Sequence, residues 1–413
     1  MPGARLKIAV VAWDLAHNGV SCAYVLADML HAEHDVELVG PTFLGQEIWA
    51  PIRDSGMPIR SFPGGPLPQF VDDAEDCIAG LNADVIIASK PRFPTLLLSM
   101  LIKDGCDAPI ILHIDDLELG LAGASRPLSL DELERHRHDA DVGNPAGRLW
   151  VAASESLIEG ADAITVSGEH LRARYGGTII GQPRDETRFD PALVDRQAIR
   201  AEFGYGDEDR VVLFLGSPRP HKGITELARA VAVIDDDRVK LCVIGSFTDP
   251  QLRTAVASIA PDRIQLVDYR PIREVPRLTM VGDLVCLPQD ASVDFVAYQT
   301  PMKLSEALAM GIPVLARETP SLMPFIDAGV VHALGGQPLG ERIAEVLADP
   351  GDTAARGQVY FRERLSYTAT RRTFAGVTDG LPATPAEIPE SWERACEFAS
   401  AVRRPLRRAS RGR

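Results

Sequence analysis

The sequence predicts an α/β protein built from two doubly wound domains in tandem. Short apolar runs alternate with stretches of helical spacing through both halves of the chain. Its 413 residues exceed what one hydrophobic core organises and suit two domains of about 200 residues each. A segment rich in turn residues, Gly181-Gln-Pro-Arg-Asp-Glu-Thr-Arg-Phe-Asp-Pro191, separates the two alternations as an interdomain connection.

Taken in order, Lys7–Trp13 reads as the first strand, Gly19–His31 as a helix, Val36–Val39 as the second strand, and Asp84–Ala88 and Pro109–Ile114 as later strands. That rhythm gives a parallel sheet with right-handed crossovers. A polar stretch, Asp115–Gly147, interrupts it before Asp162–Val166 resumes, and insertions of this kind sit at the mouths of sites. Its His136 and His138 lie in a charged run and read as a solvated helix face rather than as metal ligands. After the connection come Val211–Leu215, Val239–Ile244, Ile264–Val267, Leu284–Leu287 and Val314–Ala316, with helices between. Neither first turn carries G-x-G-x-x-G, so a dinucleotide fingerprint is missing. Ile388–Val402 has helical spacing, with Trp392, Ala395, Cys396 and Phe398 as its apolar members, and could pack back across the domain boundary. The predicted division is an acceptor-side domain at 1–185, a donor-side domain at 186–380, a C-terminal helix at 381–402 and a basic disordered tail at 403–413.

Composition narrows the function. Hydrophobic content of 46% and charged content of 24% are ordinary for a globular protein. No apolar run reaches the ~18 residues that a membrane helix needs, and the N-terminus lacks a signal-peptide apolar region, so a cytoplasmic location is expected. The net charge of −15 is uneven: 15 Lys and Arg face 29 Asp and Glu up to Asp190, against 28 and 29 thereafter. An acidic first half offers no basic stripe for a nucleic-acid backbone. The Arg-rich tail can touch an anionic membrane surface, but a solvated end is the favoured reading. Six cysteines without a C-x-x-C pair read as free, mostly buried thiols.

The most informative stretch is Gln299-Thr-Pro-Met-Lys-Leu-Ser-Glu306 with the residues that follow it. Thr300 suits an N-cap, Pro301 the first helical position, Gly311 a left-handed stop, and Pro313 the opening of a strand, which predicts a helix of about ten residues. Lys303 falls in its first turn, where the macrodipole is already positive, so it costs helix stability unless an anion is present. A diphosphate held by the first-turn N–H groups is such an anion. Glu306, one turn on, can accept hydrogen bonds from vicinal hydroxyls such as a ribose diol. After the strand ending at Gly216, the loop Ser217-Pro-Arg-Pro-His-Lys-Gly223 adds the cations Arg219 and Lys222 at the carboxyl end of a parallel strand, where ligands of open α/β sheets bind. Together with Lys303 they are expected to form one anion-binding cleft.

Phe214-Leu-Gly, Pro220-His-Lys-Gly223, Val243-Ile-Gly245, Pro301-Met-Lys-Leu-Ser-Glu306 and Ala309-Met-Gly-Ile-Pro-Val314 closely resemble, as a set, the donor domain of family 4 retaining glycosyltransferases of the GT-B fold. In the first half, Asn18-Gly19 looks like the family's glycine turn, and Asp185 with Phe189-Asp-Pro191 like its domain link. The resemblance implies two Rossmann-like doubly wound domains facing each other across a cleft. It also implies transfer of a sugar from a nucleoside diphosphate donor to an acceptor hydroxyl with retention, without a bound metal or other cofactor. It makes Glu306 the carboxylate that holds the ribose and Arg219 with Lys222 the cations on the diphosphate, with Gly216, Gln299, Thr300, Pro301, Met302 and Lys303 around the donor. Three departures are visible. Gln299 stands where the family's first motif glutamate is found, Ser217 where an arginine usual after the strand glycine is found, and Asp115-Asp116 where a histidine is often found, with His113 two residues earlier. Asp115 and Asp116, with Gly19, are the acceptor-side candidates. Two other functions fit the same fold: a nucleotide-sugar epimerase, and a non-catalytic nucleotide-sugar-binding partner subunit.

Overall fold

Strands that are apolar on every position have two faces to bury, and a parallel sheet covered by helices on both sides is how a chain does so. The computed structural model, which describes residues 5–402, contains two such sheets. In the first unit the strands are β1 (Lys7–Ala12), β2 (Asp35–Thr42), β3 (Ile59–Pro63), β4 (Val85–Ser89), β5 (Ile110–Ile114), β6 (Ala163–Val166) and β7 (Thr178–Ile179), all paired in parallel in the order β3-β2-β1-β4-β5-β6-β7. The second unit holds β8 (Arg210–Leu215), β9 (Val239–Ile244), β10 (Ile264–Val267), β11 (Leu284–Leu287), β12 (Val314–Ala316) and β13 (His332–Ala333), in the order β10-β9-β8-β11-β12-β13.

The side-chain period of two is explicit in the second unit. Val211, Leu213, Leu215, Cys242 and Ile244 belong to the core on one face of the sheet, while Val212, Phe214, Leu241 and Val243 belong to the core on the other. Every strand expected from the sequence is present. Three were not expected: β3, β7 and β13 are edge strands, two of them only two residues long and all partly exposed, so they lack the apolar run that marks an interior strand. The first helix runs over Ser21–His31 rather than from Gly19, because Asn18–Val20 forms a 3₁₀ turn capped by His17, whose Nδ1 accepts from the Gly19 N–H at 2.8 Å.

The division of the chain is less simple than one boundary at 185. Among the described residues, 5–167, 174–179 and 375–402 form one compact unit, and 168–173 with 180–374 form the other. The helix Glu390–Ala401 belongs to the first unit, where Trp392 is buried and its Nε1 donates to Leu157 O at 2.7 Å. Arg394 of the same helix pairs with Asp131 and Glu134. That contact gives the charged run in the polar insertion a structural partner. The tail at 403–413 lies outside the described residues. Among the described residues no helix is long and apolar enough to cross a membrane. All six cysteines are free, with Cys22, Cys242 and Cys286 buried and the other three half-buried.

Trp392→Ala removes a filled core position and a buried hydrogen bond together. It should lower the stability of the first unit by about 3–5 kcal/mol, read as a shifted urea transition monitored by tryptophan fluorescence.

Candidate functional site

In an open parallel sheet, loops diverge where the strand order reverses, and the carboxyl ends at that point form a crevice. In the second sheet the reversal falls between β8 and β11. The loop after β8 runs through Gly216 and Ser217 into a 3₁₀ turn over Pro220–Lys222, and Gly223, at φ +73°, starts the helix Ile224–Ala232. A Cβ on Gly223 would lie 2.0 Å from the Pro288 carbonyl oxygen beyond β11, so only glycine lets these two loops touch. Gly245, ending β9 at φ +150°, approaches the Gly216 carbonyl in the same way.

Against this floor stands the helix Met302–Ala309. Its cap is Pro301, not Thr300: Pro301 has extended geometry (ψ 135°), which delays the helix by one residue and shortens it to eight. The Thr300 Oγ1, freed from capping, is buried without a hydrogen-bond partner among the described residues, as is the Oε1 of Gln289 just beyond β11. Gly311 ends the helix as expected, at φ +67°.

Lys303 is 8% exposed, and its Nζ lies 3.3 Å from the centre of the Phe214 ring and beside Gly216. No carboxylate pairs with that Nζ among the described residues. Burial, reinforced by the nearby Lys222 ammonium, holds its pKa well below the ordinary lysine value. Lys222 itself is anchored by donation from Nζ to the Ser217 carbonyl at 3.1 Å. The structure thus brings Lys222 and Lys303 together. Arg219 reaches to the loop after β9, where its Nη1 donates to Thr248 Oγ1.

Glu306 is also buried, and it is paired. Its Oε1 accepts from Arg184 Nε at 3.1 Å and Nη2 at 2.7 Å. Arg184 was missed because it sits in a turn-rich stretch that reads as a linker, and a pairing across 122 residues leaves no local spacing signal. Gln299 and Met302 are half-buried on either side of the helix start, and Gln299 N–H donates to Val296 O.

The first unit has its own reversal, between β1 and β4. Here the charges are closed on one another. Lys90, just after β4, has left-handed backbone (φ +75°), uncommon for a residue with a side chain, and is 5% exposed. Its Nζ donates to Asp116 Oδ2 at 2.9 Å and Glu118 Oε1 at 2.8 Å. Asp115 Oδ1 lies 2.8 Å away but off the hydrogen-bonding direction, a contact of charge alone. Glu118 Oε2 also accepts from Arg92, whose guanidinium stacks on Trp13 with 4.1 Å between its carbon and the ring centre. These cations hold the Glu118 carboxyl down to about 2 despite its burial, and the Lys90 ammonium is favoured well above its usual range. Asp116 is pushed up to about 6, by burial first and then by its two carboxylate neighbours. The Asp115, Asp116 and Glu118 oxygens lie close enough to one another to hold a metal ion, but Lys90 donates into the same trio. Neighbouring His113 is buried, bonded through Nδ1 to Thr165 Oγ1, and shifted down to about 3 by burial and then by Lys90. After β1, Gly19 packs under His17, which pairs with the buried Asp14 at 3.1 Å. The sequence marked Gly19, Asp115 and Asp116. It gave no sign of Lys90, Arg92 or Glu118 as their partners.

Residues 209–353 match the family model for glycosyl transferases group 1. A D-inositol 3-phosphate glycosyltransferase of Segniliparus rotundus is 28% identical over 257 residues, covering 56% of this chain and 55% of that protein. The amylovoran biosynthesis glycosyltransferase AmsK of Erwinia amylovora is 29% identical over 131 residues, covering 29% and 32%. The chain therefore spans about half the length of the first of these relatives and a third of the second. Among solved structures, HepE of Anabaena in complex with UDP-glucose superposes with a TM-score of 0.66 over 91% of this chain and 100% of that one, at 16% identity. Sucrose-phosphate synthase of Thermosynechococcus elongatus does so at 0.65 over 91% and 98%, at 15% identity. The fold is GT-B, and the resemblance to family 4 glycosyltransferases read from the motifs holds.

Two outcomes follow from the charges. A lysine whose pKa is depressed in the folded state destabilises that state at neutral pH, where the unfolded chain keeps the proton freely. Lys303→Met should therefore raise the stability of the ligand-free protein by on the order of 1 kcal/mol in urea denaturation at pH 7. For Asp116 the folded state holds a proton that the unfolded chain has already released between about pH 4 and 6, so its contribution to stability falls as pH rises through that window. Asp116→Asn should flatten that part of the stability profile.

Proposed function

We propose that this protein is a retaining glycosyltransferase that moves a sugar from a nucleoside diphosphate sugar to an acceptor hydroxyl, with the donor as substrate and no bound metal or other cofactor. The buried Lys303 ammonium, set beside Lys222 with no carboxylate on its Nζ, carries this reading. Two neighbouring ammonium groups in a desolvated setting repel each other, and a diphosphate reverses that cost. At the start of Met302–Ala309 the Leu304 N–H donates to the Pro301 carbonyl, and the preceding N–H groups of Met302 and Lys303 add donors at the same place.

In the chemistry this supports, the bond between the sugar's anomeric carbon and the diphosphate oxygen breaks as the acceptor oxygen bonds that carbon from the same face. The acceptor proton passes to the departing phosphate oxygen, so no base on the protein is required. Lys222 and Lys303, with Arg219 on the adjoining loop, stabilise the charge that collects on the leaving nucleoside diphosphate. Glu306 receives the ribose hydroxyls, and Gln299, Thr300 and Pro301 border the sugar and phosphates. On the first unit, Asp116, whose side chain is 23% exposed while Asp115 and Glu118 are buried, is the carboxylate placed to orient an acceptor hydroxyl. Gly19 and Asp115 shape its surroundings. The glycosyltransferase names of the sequence relatives and the UDP-glucose bound by HepE support the reaction class and the donor class.

Incubation with UDP-, GDP- and ADP-sugars should give slow hydrolysis of one donor to the free sugar and its nucleoside diphosphate. An altered sugar would indicate epimerisation, and binding without turnover a non-catalytic subunit. Lys222→Ala should lower turnover on the order of a hundredfold or more with stability largely retained, since this side chain is half-exposed in the loop after β8 and its Nζ donates to the Ser217 carbonyl. Glu306→Gln should weaken turnover by a similar factor. It is the better variant than Glu306→Ala because it keeps an oxygen acceptor for the Arg184 guanidinium, although it too removes the charge.

A further inference from the structure

We infer that Arg184 is a positioning residue for nucleoside recognition: it fixes the Glu306 carboxylate so that one oxygen is occupied by the protein and the other is left for the ribose diol. The inference rests on the donor reading above.

Arg184 is 6% exposed and Glu306 9%, so neither charge is tolerable in that setting without the other. The geometry is asymmetric. Both guanidinium donors, Nε and Nη2, fall on Oε1, where a fork-to-fork pair would place one on each oxygen. Nη1 is turned away and donates to the Pro183 carbonyl at 2.8 Å. The Arg184 backbone is held as firmly: its N–H donates to Leu365 O and its carbonyl accepts from the Tyr367 N–H, each at 2.9 Å. A short parallel bridge with Ser366 therefore sets the root of the side chain before the guanidinium meets its partner. The result is a carboxylate with its rotamer fixed and its Oε2 taking no hydrogen bond from Arg184. A ribose offers two vicinal O–H donors to such a group, and each charge-assisted bond is strong only if the acceptor is already oriented.

The test measures how far the protein prefers ribose over deoxyribose, because a ratio taken on one preparation cancels any loss of folded protein. Affinities for UDP and GDP are compared with those for their 2′-deoxy and 3′-deoxy counterparts, with inorganic pyrophosphate as the probe of the cation site alone. The wild type is expected to favour ribose roughly 10- to 100-fold, the range of one charge-assisted hydrogen bond. Arg184→Leu should reduce that preference to about threefold or less while pyrophosphate affinity stays within about threefold, and Arg184→Lys should recover part of it. If Arg184→Leu, folded by circular dichroism, keeps the full preference, Arg184 is a structural residue only and the inference fails. It also fails if the wild type binds nucleoside diphosphates without regard to the ribose hydroxyls. A wild type that binds pyrophosphate and no nucleoside diphosphate overturns the donor reading itself.

Discussion

The second unit is organised around one unfavourable interaction: the buried Lys303 ammonium has Lys222 for a neighbour and, among the described residues, rests on the face of Phe214 with no carboxylate paired to its Nζ. A cation over an aromatic ring gains about 2 kcal/mol when desolvated, which offsets part of the cost of removing an ammonium from water and leaves the rest standing. The surrounding architecture sustains that residue of strain. Gly223 and Gly245 let three loops meet backbone to backbone, and the helix Met302–Ala309 is buried on nearly every face by its Leu304, Ala307 and Leu308 core contacts. Such a core leaves Lys303 little access to solvent. Preorganised charge of this kind is the form that electrostatic catalysis takes, since nothing has to reorient when the leaving group develops its charge.

The first unit has the same doubly wound topology and the opposite electrostatic solution. At its strand-order reversal a lysine is again buried, but Lys90 has three carboxylates around it and Arg92 supplies a second cation to Glu118. The first cluster is therefore closed by its own ion pairs, whereas Lys303 has no carboxylate paired to its Nζ among the described residues. A satisfied cluster has hydrogen-bonding capacity at its solvent edge without net attraction for an anion. The left-handed backbone of Lys90 costs on the order of 1 kcal/mol or more, and the density of charge contacts on its side chain shows what holds it there.

Much of this was legible in the sequence where the signal is local. Interior strands announce themselves as apolar runs, and the positions of Gly216, Lys222, Gly223, Lys303 and Gly311 follow from turn chemistry and helix punctuation. The helix start was off by one residue because a proline fits either the cap or the first turn, and only its ψ decides. The partners of charged residues were not legible. Glu306 and Asp116 were singled out, yet their charge partners Arg184, Lys90, Arg92 and Glu118 were passed over, because each pairing is made by the fold across 26 to 122 residues rather than by spacing along one element.

That difference has a physical consequence for how carboxylates in such folds are to be understood. A carboxylate read alone from a motif looks like a free acceptor with two equivalent oxygens. In the folded chain Glu306 has one oxygen committed to Arg184, and Asp116 shares its Lys90 partner with two competitors. The first arrangement keeps a carboxylate oriented in a buried site. The second raises a carboxyl until it can hold a proton near pH 6. The same residue type is therefore set differently in the two units: Glu306 has the Arg184 guanidinium to itself, whereas Asp116 is buried and shares the Lys90 ammonium with Asp115 and Glu118.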